Sequence, residues 1–168
     1  MNAEDLRTIQ SPLKARYKED AASALYTLRA EGVVVPASLS VNVKTHIGNV
    51  EAGLHPATGG DGRLACSAEM LLEALVSCAG VTLAVVATAT GTALRGGTVT
   101  AEADLDFRGT LGVSKEVPVG FKSIRLIFAL DTDATSDQLD TLIKLTERYC
   151  VVYQTLKTPP TIEVSRVS

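Results

Sequence analysis

A chain of 168 residues, 46% hydrophobic, with 4% aromatics and no tryptophan, has the size and apolar content of one packed domain whose core is built on Ala, Val and Leu. A formal net charge of −3, with no basic run or stripe, argues against a nucleic-acid binder. Three cysteines, Cys66, Cys78 and Cys150, an odd number behind an N-terminus with no apolar leader, argue against a secreted disulfide scaffold and for a cytoplasmic protein.

Residues 1–20 are charged and predict a short helix around 12–20, with Pro12 in its first turn. Segments 23–34, 38–45 and 49–55 read as strands, and in the second Leu39, Val41 and Val43 alternate onto one face. Residues 55–63, with one Pro and three Gly, form a loop. A long helix is expected over 67–90, with Ser67 as its cap, Glu69 in its first turn and Gly91 as its stop. Its apolar residues lie on all sides, so it should be buried nearly all round. A helix of ~24 residues spans ~36 Å, long for the centre of so small a domain, so a second copy of the chain is expected to cover part of it. The uncharged stretch 74–94 has the length of a membrane span, but Ser, Gly and Thr interrupt it and Ala dominates it. It is read as the core helix of a soluble protein, with no membrane partner.

Segments 97–109 and 121–133 are the next strands, carrying Val99, Ala101, Ala103, Leu105 and Phe107 on one and Ile124, Leu126 and Phe128 on the other, with a loop at 110–120. A second helix begins at Thr135, with Gln138 in capping-box spacing. Leu139, Leu142, Ile143, Tyr149 and Cys150 fall on one face of it. Residues 151–157 continue as a short helix until Pro159 and Pro160, and 161–167 form a last strand. Strands, a long helix, strands, a helix and a closing strand make an α+β pattern.

A cysteine on an apolar helix face is most often packing. Cys78 and Cys150 both sit on such faces, so either functional thiols or buried lining fits the pattern. No CxxC is present. Three cysteines and two histidines, His46 and His55, lack the close paired spacings of a zinc site, so no metal is expected. No GxSxG supports a serine hydrolase.

The stretch 66–83, CSAEMLLEALVSCAGVTL, resembles the central-helix motif of the OsmC/Ohr family (osmotically inducible protein C and organic hydroperoxide resistance proteins), and 145–156, LTERYCVVYQTL, resembles its second cysteine motif. The resemblance spans about residues 20–165 and is nearer the less-characterised OsmC-like branch. It implies a domain over 21–168 behind an extension at 1–20, with antiparallel sheets around a long buried helix in an intertwined homodimer. It also implies a thiol peroxidase for organic hydroperoxides, with Cys78 as the reactive thiol and Cys150 as the resolving thiol. No bound cofactor is implied, only an external dithiol reductant. The alternative within this fold is a non-catalytic module holding a small apolar ligand at the dimer interface. Glu69 is a further candidate. The family's assisting glutamate stands ten residues before the reactive cysteine, where this chain has Ala68. Nine residues at 100° each put Glu69 on the opposite side of a straight helix from Cys78, where it serves equally as a dipole partner. Among arginines, Arg16 and Arg29 are early in the chain and neither is assigned. Cys66 belongs to neither motif.

Overall fold

The computed structural model describes residues 1–167. The chain is mixed α+β, with antiparallel sheets and one long helix. In order come α1 (Ala3–Glu19), β1 (Gly32–Val35), β2 (Ser40–Thr45), β3 (Gly48–Gly53), β4 (Ala65–Cys66), α2 (Ser67–Thr90), β5 (Leu94–Asp104), α3 (Phe107–Thr110), β6 (Ser123–Thr132), α4 (Ser136–Tyr149) and α5 (Val151–Lys157). β1 to β4 form one sheet in sequence order, antiparallel except for the short parallel β3–β4 pair, and β5 pairs with β6. The residues divide between two compact units, one of Met1–Ile9, Ala74–Val99 and the chain from Ile127 on, the other of Gln10–Glu73 and Thr100–Leu126.

The first unit carries the main core. Leu83, Val86 and Ala87 of α2 pack on Leu142 of α4, and Leu94, Val99, Phe128, Leu130, Leu139, Ile143 and Leu145 close around them. Full burial of one such Leu stabilises by about 1.5–3 kcal/mol. α2 runs over the expected residues and ends where Gly91 takes φ +70°, a conformation that costs glycine little. Thr82, Thr88 and Thr90 turn their hydroxyls back onto the carbonyls four residues earlier, at 2.7–2.9 Å, which satisfies them inside an apolar helix. α4 starts with the predicted capping box, Thr135 and Gln138 exchanging side-chain to backbone bonds. At Gly97 a Cβ would stand 2.6 Å from the Ala129 carbonyl, so only glycine lets β6 approach β5 there.

In the second unit β2 lies between β1 and β3 with Val41 opposite Ala52 and Val43 opposite Val50. Buried Ser40 donates to Glu51 Oε1 at 2.7 Å. Arg125 bridges Glu102 and Asp104 across β5 and β6, and with Ser123 it holds the Asp104 carboxyl down at about 2. These are exposed pairs of the kind that contribute little to stability.

Several expectations need correction. α1 covers Ala3–Glu19 with Pro12 inside it. Asn2 and Asp5 cap its start reciprocally, a signal four residues wide that opens the helix well before Pro12. The strand expected over 23–34 is a strand only at Gly32–Val35, and Leu25, Tyr26 and Leu28 are exposed. Leu39 stands outside β2 at φ +51°, closing a turn that Pro36 begins, so only Val41 and Val43 of the expected trio sit on the strand. Residues 161–167 pair with no strand, and Ile162, Val164 and Val167 are exposed. Both apolar segments have strand composition, but neither pairs with a strand among the described residues. α2 is buried along one face, not all round: Leu75, Ala79, Leu83, Val86 and Ala87 are inside, while Val81 is 67% exposed. On α4 the inner ridge runs Leu142, Thr146, Cys150, and Tyr149 points out. Thr146 is buried because its hydroxyl donates to the Leu142 carbonyl at 2.8 Å.

Candidate active site

Cys78 and Cys150 come together within the first unit. Cys78 sits on α2 one position before buried Ala79, half-buried and reduced. Cys150 is fully buried and reduced at the break between α4 and α5. It takes an extended conformation, φ −74° and ψ 109°, so that it ends one helix and caps the next. Its N–H donates to the Thr146 carbonyl at 2.9 Å, its carbonyl accepts from Gln154 N–H at 2.9 Å, and its sulfur accepts from Tyr153 N–H at 3.5 Å.

The two thiols are shifted in opposite directions. For Cys78, partial burial pushes the thiol up, but the influence of the Val152 N–H, the Cys150 thiol, the Val151 N–H and the Thr82 hydroxyl outweighs it, and the net is a thiol held below its ordinary value. For Cys150, burial pushes the thiol up; the Tyr153 N–H opposes this, and the hydrogen bond and charge of Cys78 add to it. Of the two, Cys78 is therefore the thiol that ionises first. The groups that lower the Cys78 thiol are two backbone N–H groups, a thiol and a hydroxyl, with no cation among them. Thiolate character is what makes a cysteine nucleophilic, and a second thiol beside it is what closes a disulfide.

The other candidates lie in the second unit. Glu69 is exposed in the first turn of α2. It is not among the groups acting on the Cys78 thiol. Arg16 reaches the Tyr17 and Tyr26 hydroxyls, and Arg29 pairs with Glu31 at 2.6 Å. Cys66 ends β4, half-buried. Sequence reading missed Thr82, the two valine N–H groups and Gln154. Thr82 was findable, one helical turn after Cys78 on the same face. The pair of β-branched valines after Cys150 was a weak sign that the helix breaks there.

The comparisons with known proteins bear on this site. The family model described as OsmC-like protein matches residues 60–165. The chain belongs to the OsmC-like family. Solved structures of similar fold include an OsmC-like protein from Mycoplasma pneumoniae, at 13% identity and TM-score 0.67, covering 80% of this chain and 89% of that one. An organic hydroperoxide resistance protein from Legionella pneumophila is similar at 17% identity and TM-score 0.62, covering 80% and 91%. Another, from Bacillus subtilis, is similar at 12% identity and TM-score 0.55, covering 80% and 93%. No curated protein matches the chain by sequence. In this OsmC-like fold α2, the one described helix with the length and apolarity of a membrane span, packs its inner face on Leu142 of α4.

The second unit also holds a cavity of about 480 Å³, lined by Leu54, Leu71, Leu105, Phe107, Val119 and Phe121 with His55 and Cys66 among the polar groups. His55 accepts from Ala57 N–H at 3.0 Å and stacks on Phe107, ring centroids 4.9 Å apart. The volume lies in the range of small-molecule sites.

Proposed function

We propose that the protein is a thiol peroxidase that reduces organic hydroperoxides, with Cys78 as the attacking thiol and Cys150 as the resolving thiol. The observation that carries this reading is a pair of reduced thiols from two helices that act on one another and are shifted in opposite directions. Cys78 sulfur, as thiolate, attacks the outer oxygen of the hydroperoxide. The O–O bond breaks, the inner oxygen leaves as alkoxide and takes a proton to become the alcohol, and Cys78 carries a sulfenic acid. Cys150 sulfur then attacks Cys78 sulfur. The S–S bond forms, and the leaving hydroxide takes the Cys150 proton and departs as water. Two electrons from an external dithiol return both thiols, a requirement suited to a reducing cytoplasm. Glu69 keeps the role of a helix-dipole partner at the start of α2. The protein works as a homodimer.

The test is consumption of cumene hydroperoxide with dithiothreitol as reductant. The wild type is expected to turn over, and Cys66→Ala, which alters neither sulfur of the pair, to stay within about twofold of it. A loss in Cys66→Ala as deep as that in Cys78→Ser would overturn the assignment. The cavity of about 480 Å³ favours a second reading, a module that binds a small apolar ligand without chemistry. Saturable binding of the fluorescent probe N-phenyl-1-naphthylamine, with no hydroperoxide consumed, is the result that reading requires.

A further inference from the structure

The chain is poor in aromatic residues, with three phenylalanines and no tryptophan. Two of the three, Phe107 and Phe121, line the cavity of about 480 Å³ in the second unit. Leu54, Leu71 and Val119 line it too, and each is exposed in the chain. Large apolar side chains that stay open to solvent and gather around one concavity mark a binding site. No Asp, Glu, Lys or Arg is on the wall, so a charged ligand would lose its hydration there and find no countercharge. Neither Cys78 nor Cys150 is on the wall.

His55 supplies the orienting polar group. Its Nδ1 accepts the Ala57 N–H at 3.0 Å, and its ring stacks on Phe107 with centroids 4.9 Å apart. An imidazole whose Nδ1 accepts an N–H carries its proton on Nε2. Among the described residues none accepts from that Nε2. The Thr58 hydroxyl, also on the wall, already donates to the His55 carbonyl at 2.9 Å. The His55 ring is thus held on two sides with one N–H left to give. A donor fixed beside aromatic walls selects a flat apolar body with an acceptor on it. We propose that this cavity binds an uncharged aromatic molecule carrying one hydrogen-bond acceptor, its rings among the two phenylalanines and its acceptor on His55 Nε2–H. The proposal rests on the cavity being a ligand site, as the second reading above does, and is independent of whether the thiol pair reacts.

The test compares 2-acetonaphthone, an aryl ketone, with naphthalene, which lacks the acceptor, and 2-naphthoate, which adds a charge. Affinities are measured by isothermal titration calorimetry on the reduced full chain. Cys66, also on the wall, reports on the site through its rate of alkylation by N-ethylmaleimide, resolved by peptide mass. The ketone is expected to bind about fivefold more tightly than naphthalene, the effect of one neutral hydrogen bond, and to slow Cys66 alkylation at saturation. His55→Phe keeps a ring on Phe107 and removes the donor. In protein shown to be folded by circular dichroism it should cost the ketone that fivefold and leave naphthalene within about twofold. Should His55→Phe not fold, the wild-type comparison of the ketone with naphthalene still decides. A ketone that does not saturate, equal affinity for ketone and naphthalene, an equal loss for both in His55→Phe, or tighter binding of 2-naphthoate overturns the proposal. So does a Cys66 shielded from alkylation in a ligand-free dimer, because a second copy then fills the cavity. Cumene hydroperoxide consumption is measured in the same samples. Its absence with the ketone bound removes the peroxidase and leaves this site standing, and consumption with no ketone bound does the reverse.

Discussion

Cys150→Ser, treated with excess organic hydroperoxide and no reductant, is expected to end as a sulfinic acid on Cys78, a gain of about 32 Da passing through a sulfenic acid at about 16 Da. The wild type, under the same treatment, is expected to lose about 2 Da and stop, because a disulfide bars further oxidation of either sulfur. Cys78→Ser should show neither change at these positions, since Cys150 is fully buried and its thiol is pushed up. The asymmetry follows from the site. The Cys78 thiol is held below its ordinary value and the Cys150 thiol is pushed above it, so Cys78 ionises first. A peroxide therefore meets one nucleophile, and the second sulfur is useful only after the first has been oxidised. Over-oxidation in the wild type equal to that in Cys150→Ser would remove Cys150 from the resolving role.

Val81→Asp is expected to convert a dimer into a monomer. In one chain Val81 is 67% exposed, and an exposed substitution of this kind ordinarily changes stability by no more than about 0.5 kcal/mol. The surroundings argue that it does not stay exposed. Cys78, Val81 and Val85 stand at helical offsets 0, 3 and 7, one face of α2, and Val85 is 37% exposed. Two further apolar segments of strand composition, around Leu25–Leu28 and Ile162–Val167, have no sheet partner among the described residues. A second copy laid on the Val81 face would bury these valines and close the open side of Cys78. An aspartate buried there without a partner costs several kcal/mol. Light scattering at micromolar concentration should give about twice the 17.6 kDa chain mass for the wild type and the single mass for Val81→Asp. A wild-type monomer, or a variant whose mass does not change, would contradict the homodimer.

What could be read from the sequence was whatever a local rule decides. α2 matched residue for residue because Gly91 marks its end and nothing within it breaks a helix. The start of α4 matched because a capping box is complete within four residues. The strands carrying Val99 and Phe128 formed where one buried face imposes a period of two, but the first runs Leu94–Asp104, so Leu105 and Phe107, expected on it, lie beyond its end and Phe107 opens α3. What failed depended on partners far along the chain or outside it. Residues 25–31 and 161–167 have the composition of strands, but a strand exists only where an edge receives it. The all-round apolar character of α2 showed that it needs covering, not what covers it. At the site, the positions of Cys78 and Cys150 were legible from their helix faces. Their opposite shifts were not, because these arise from how deeply the fold buries Cys150 and from which groups it brings to each sulfur.

The measurement closest to the centre of the account is peptide mapping of the wild type after one equivalent of cumene hydroperoxide, with the remaining free thiols blocked in acid before digestion. A disulfide requires Cα atoms about 4.4–6.8 Å apart, and the two reduced thiols lie close enough to act on one another. The expected result is a Cys78–Cys150 linked peptide, reversed by dithiothreitol, with Cys66 recovered as a free thiol. Recovery of Cys78 and Cys150 both unmodified from folded protein, with the hydroperoxide unconsumed, would contradict it.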